Sequence, residues 1–134
     1  MNTRQLLAAR EDRGSVEVTL YMPILMLLVM AAVQIGLYAH AHQTAESIAT
    51  HALAASRTVD GTAQQGQARA EQVGEQLAGD LLTEVVIDVE REATTARVTV
   101  QATVPSLLPA VPLRIHHQQS APVERTTPYP GAAP

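Results

Sequence analysis

Five histidines, His40, His42, His51, His116 and His117, are the residues best able to bind a metal or move a proton. Their spacing argues against either use. His40 and His42 are two apart, which a helix places on different faces. His116 and His117 are adjacent, which a strand points to opposite sides. His51 stands alone, and no His-x-x-x-His pair exists, so solvated imidazoles are expected and a metal site is not. Ser15, Ser47, Ser56, Ser106 and Ser120 lack a nucleophile-elbow setting. Asp88 and Glu90 share the outward side of a strand-like stretch, where acids serve solubility. A carboxylate pair can cleave a glycoside, but a chain this short with 2% aromatic residues encloses no sugar. Gly74 and Gly79 form no phosphate loop, and the chain has no lysine. With Cys 0, disulfides, thiolate nucleophiles and iron–sulfur ligation are excluded. The expectation is a non-enzymatic protein with no catalytic residue, no cofactor, no metal and no small-molecule substrate. One acid stands apart: Glu17, at the edge of a long apolar run.

That run, residues 18–39, reads VTLYMPILMLLVMAAVQIGLYA and carries no charge. As a helix it measures roughly 33 Å, enough to cross a hydrocarbon layer of roughly 30 Å. A 134-residue chain has too little other apolar material to wrap it as a core helix. Signal-peptide cores are shorter, about 7 to 15 residues, although Ala39-His40-Ala41 offers small residues of the kind a signal peptidase cleaves after. Arg4, Arg10 and Arg13 precede the run, whereas the first charge after it is Glu46, which places the amino terminus in the cytoplasm and the remainder outside. Tyr21 and Tyr38 lie near the two ends, where amphipathic rings prefer the interface. Pro23 is cheapest in the first turn of a helix starting near Val18; an earlier start implies a kink there. Gly36 permits close approach of a neighbouring helix. Glu17 could stay at headgroup level as a helix-start acid or be drawn into hydrocarbon, where it needs a partner or a proton.

Beyond the run, residues 40–58 continue as helix, with a narrow stripe of Ala45, Ile48, Ala52, Ala55 and Val59, until Asp60-Gly61 ends or bends it. A second helix is expected over 62–79, with Ala63, Gly66, Ala70, Val73 and Leu77 in line and Gly66 and Gly74 weakening it by roughly 1 kcal/mol each. The period then shortens to two. Residues 83–91 and 95–104 alternate as half-buried strands, with Val85, Ile87 and Val89 facing Val98, Val100, Ala102 and Val104 across a short antiparallel turn. Pro105, Pro109 and Pro112 mark a crossover loop. Residues 113–126 supply a third strand anchored by Ile115 and Val123, held to an edge or bulge by Pro122. A two-stranded hairpin is marginal in water, so this strand or the second helix must cover it. Residues 127–134 carry three prolines and one glycine and are expected to be disordered. With 9 Lys+Arg against 13 Asp+Glu, the chain has no nucleic-acid footprint.

The arrangement of an Arg-bearing leader, Gly14-Ser15-Val16-Glu17, Pro23 within the apolar run and then Gln34-Ile35-Gly36 resembles the TadE-like family of pilus-assembly proteins. These are single-pass, pilin-like components of tight-adherence (Flp-type) systems. The likeness is strongest over residues 10–60. It implies that Glu17, Pro23, Gln34 and Gly36 serve assembly, that the helix packs laterally with other pilin-like subunits and pilus-assembly membrane proteins, and that Gly14-Ser15 is a possible processing site. In related pilins a carboxylate near the start of the mature helix neutralises a neighbour's new amino terminus, and Glu17 matches that position. Cleavage after Gly14 would leave Glu17 as the third mature residue, where pilins place it fifth.

The expected fold is α+β: a cytoplasmic basic leader over 1–17, a single transmembrane helix over 18–39, and an exported helix and small antiparallel sheet over 40–126. The expected partners are membrane lipid and pilin-like subunits, and the expected location is the cell membrane, with the carboxyl terminus exported. The rival readings are an anchored binding module that recruits a partner through its β-unit, and a secreted protein released after Ala41.

Overall fold

The computed structural model describes residues 3–108 and 111–126, with side chains from Glu17 onward. The order is α1 (Thr3–Arg57), α2 (Ala63–Leu77), β1 (Thr83–Arg91), β2 (Thr95–Val104) and β3 (Leu113–Pro122). The chain divides into two units, residues up to Gly36 and residues from Leu37 onward. The tail over 127–134, expected to be disordered, lies outside the described residues.

The first unit is helix alone. α1 begins at Thr3, not near Val18, and its helical assignment continues through Pro23. The leader accounts for the early start: Gln5, Leu6, Leu7, Ala8, Ala9 and Arg10 are all good helix formers, so the helix begins well ahead of Gly14.

The second unit builds its core from small residues. Ala41, Ala45, Ile48, Ala49, Ala52 and Leu53 of α1 are buried, as are Ala70 and Val73 of α2. The buried stripe of α1 is therefore wider than the narrow one expected. It includes Ala49 and Leu53 as well as Ala45, Ile48 and Ala52, while Val59 is exposed. Two hydroxyls inside it are satisfied locally: Thr44 Oγ1 donates to the His40 carbonyl at 3.1 Å and Ser56 Oγ to the Leu53 carbonyl at 3.1 Å.

Between the helices the chain turns at Gly61, whose amide donates to the Thr58 carbonyl at 2.9 Å. A Cβ there would lie 2.7 Å from the carbonyl oxygens of Ala55 and Ser56, so only glycine fits. Thr62 then caps α2: its hydroxyl accepts from the Gln65 amide and its own amide donates to the Gln65 side chain, both at 3.1 Å. At the other end, Gly79 adopts φ +47, the left-handed conformation that commonly stops a helix.

The sheet is antiparallel in the order β1-β2-β3. The Pro-rich connector therefore joins neighbouring strands and crosses nothing, and β3 is an edge strand that ends at Pro122. The central strand β2 buries Ala96, Val98, Val100, Ala102 and Val104 on one side. Opposite them stand Val89 against Val98, Ile87 against Val100, Ile115 against Ala102 and His117 against Val100. A register shift between Thr83 and Val86, with Glu84 at φ 51, disturbs the start of β1. Val85, expected to face the core, is instead 37% exposed.

Three contacts fix α1 along β3 and the residues that follow it. His42 meets His117, Thr50 Oγ1 donates to Gln119 Oε1 at 3.2 Å, and the Glu124 amide donates to the Arg57 carbonyl at 2.8 Å. From residue 42 to 57 a helix rises about 22 Å, and from 117 to 124 a strand extends about 23 Å. Equal lengths let the two elements run side by side in the same direction.

Candidate assembly helix

Along α1 from Val18 to Ile35 the large apolar side chains are exposed, apart from the half-buried Met30. Leu20 is 63% exposed, Leu28 63% and Ile35 70%. Burying such side chains removes roughly 25 cal/mol per Å² from the cost of hydration, so a continuous exposed stretch of this kind needs lipid or protein around it. α1 is long and apolar enough to cross a membrane, and only 6% of its most apolar window is buried. A core helix of a soluble protein is mostly buried, so that alternative does not describe this segment.

The four residues expected to serve assembly are all on this helix, but they do not share one face. Glu17 is exposed. Pro23 lies within the helix. Gln34 is 6% exposed, in contrast to its apolar neighbours. Gly36 has open space around it, with nothing within 4 Å of where a Cβ would stand. On a regular helix Pro23 and Gln34 fall within about 20° of each other, whereas Glu17 and Gly36 lie about 100° and about 160° from Gln34. Gly14 and Ser15 fall within the backbone of α1, and their side chains are outside the described residues.

The histidines depart from the expectation of solvated, separate imidazoles. His40, His51 and His116 are exposed, but His42 and His117 are half-buried and meet edge to face. Their ring centroids are 5.3 Å apart and the planes cross at 88°, a favoured aromatic geometry. His117 Nε2 is buried without a hydrogen-bond partner. Alternation along β3 places His117 inward, but nothing in the sequence joins residue 42 to residue 117. Among the described residues no group of three His, Asp or Glu side chains converges as a metal site would require. Asp88 and Glu90 are both exposed on the outward side of the sheet, and Glu90 faces Arg97 at 3.6 Å.

The molecule is thus an α+β protein with one long, apolar amino-terminal helix, a second helix and a three-stranded antiparallel sheet. A family model described as TadE-like protein matches residues 14–54, so over that segment the chain is similar to that family. The matched segment contains Glu17, Pro23, Gln34 and Gly36, together with most of the α1 stripe that packs on the sheet. No curated protein and no solved structure matches the chain.

Proposed function

We propose that this protein is a membrane-anchored, pilin-like component of tight-adherence (Flp-type) pilus assembly, working through lateral packing of α1 rather than through catalysis. The observation that carries the reading is the exposed apolar stretch of α1 within the TadE-like segment. In this reading the apolar stretch lies in the bilayer. The Arg-bearing amino terminus stays in the cytoplasm, and the sheet unit is delivered outside. The partners are membrane lipid, other pilin-like subunits and the membrane proteins of the assembly machinery.

Glu17 sets the stagger between neighbouring helices. A carboxylate drawn into hydrocarbon is expensive without a cation, so pairing with an ammonium of an adjacent subunit selects one axial alignment more than it adds net stability. Gly36 lets a neighbour approach closely on another side. Because these positions fall on different faces, the helix accommodates more than one neighbour.

The test is Glu17→Ala in the full-length protein. Membrane insertion is expected to persist while co-purification with other pilin-like subunits falls. Unchanged co-purification would count against the role of Glu17.

A further inference from the structure

We infer that the sheet unit makes its own contact with lipid: Leu107, just past the end of β2, is seated in the outer headgroup–acyl boundary of the bilayer that holds the apolar stretch. This rests on the membrane placement proposed above and adds a lipid contact on a different element.

Lengths within the sheet unit set the depth. α1 enters this unit at Leu37, and the uncharged run ends two residues later at Ala39. His42 meets His117, and from that contact α1 and β3 run in the same direction. Traced backward, the helix descends only about 4.5 Å from His42 to Ala39, whereas β3 descends about 13 Å from His117 to Leu113. Leu113 pairs with Val104 at the end of β2, and Leu107 follows three residues on. The end of the sheet that holds Leu107 therefore lies about 8 Å inward of Ala39, within the roughly 5–10 Å over which interfacial segments bury their apolar side.

The chemistry around Leu107 suits that depth. Its side chain is 45% exposed, and residues 104–108 carry no charge. Unpaired backbone would be costly near hydrocarbon, and here it is spared. Pro105 has no amide hydrogen. The Leu108 amide donates to Ser106 Oγ at 3.2 Å, and the Ser106 hydroxyl donates to the Leu108 carbonyl at 2.9 Å. The register also brings Arg114 to this end beside Thr103, together with Glu84, whose carboxylate accepts from Thr103 Oγ1 at 3.0 Å. Asp80 is exposed in the turn before β1. One cation against two acids gives no pull toward anionic lipid, so the partner is the apolar boundary of a zwitterionic bilayer. Val86, level with His116 and one residue short of His117, marks the water-side margin.

The chain has no tryptophan, so an introduced indole reports alone. Full-length chains carrying Leu107→Trp, Glu92→Trp at the opposite end of the sheet, or Leu28→Trp within the apolar stretch are reconstituted in phosphatidylcholine vesicles containing lipid brominated either high or low on its acyl chains. Position 107 is expected to emit at shorter wavelength than position 92 and to lose emission chiefly to the high bromine. Position 28 is expected to lose emission chiefly to the low bromine, and position 92 to neither. Quenching at 28 without quenching at 107 would overturn the lipid contact while the membrane placement stands, and no quenching at 28 would remove both. A blue-shifted emission at 107 that bromine does not reach, or that disappears when the protein is diluted with lipid, would give this surface to a second copy and likewise overturn the inference.

Discussion

Gly66 of α2 lies against Ser56 of α1 so closely that a Cβ added to the glycine would come within 2.9 Å of the Ser56 Cβ and equally close to Val89 Cγ1 of β1. The glycine is the point where the two helices and the sheet converge. Gly74, two turns along the same helix, would place a Cβ 3.8 Å from Ile48 Cδ1, an ordinary contact.

The two glycines should therefore respond in opposite ways to alanine. Gly66→Ala gains helix propensity but overpacks the junction, and a net loss of about 1–2 kcal/mol is expected. Gly74→Ala is expected to gain about 0.5–1 kcal/mol. Thermal unfolding of the detergent-solubilised protein, followed by circular dichroism, would separate them; equal shifts would show that the helices do not meet at Gly66.

That contrast marks where sequence reasoning stops. As helix residues both glycines look like weak points, and only the fold reveals that one is a close approach. The strands are the most readable elements: a period of two over residues 83–91 and 95–104 matches β1 and β2, because one side of each faces the core. The start of α1 is harder to read because Pro23 suggests a nearby boundary, whereas the leader residues favour helix on their own. The bulge at Glu84 has no glycine or asparagine to announce it. For the assembly helix, composition reveals the apolar run, but the burial of Gln34 is not legible, since a polar residue in such a run reads only as an interruption.

The helix junction also depends on its cap. Thr62→Ala removes the acceptor for the Gln65 amide and is expected to cost about 1 kcal/mol. Glu124→Ala breaks the Arg57–Glu124 pair at 3.1 Å, but those side chains are 40% and 49% exposed, so the expected loss is under about 0.5 kcal/mol. Midpoints of chemical unfolding for the two variants provide the comparison, and an equal or larger effect at Glu124 would contradict the ranking.

The His42–His117 contact is expected to show a coupling energy of about 0.5–1.5 kcal/mol in a double-mutant cycle with alanine at each position. Zero coupling would mean that the edge-to-face packing contributes nothing to holding α1 on β3.

Gly36→Leu adds bulk where the isolated chain has open space. Unfolding of the sheet unit is expected to be unchanged while co-purification with pilin-like subunits declines. Undiminished co-purification would remove Gly36 from the packing surface.

The central claim is that the apolar stretch of α1 lies in a bilayer with the sheet unit on the outer side. Single-cysteine chains answer it: His116→Cys on the exposed side of β3 and Leu28→Cys within the stretch, probed with a membrane-impermeant maleimide on intact cells or spheroplasts. Labelling at position 116 without lysis, together with protection of position 28 until detergent is added, is the expected result. Recovery of the protein in the soluble fraction, or labelling at position 116 only after lysis, would contradict it.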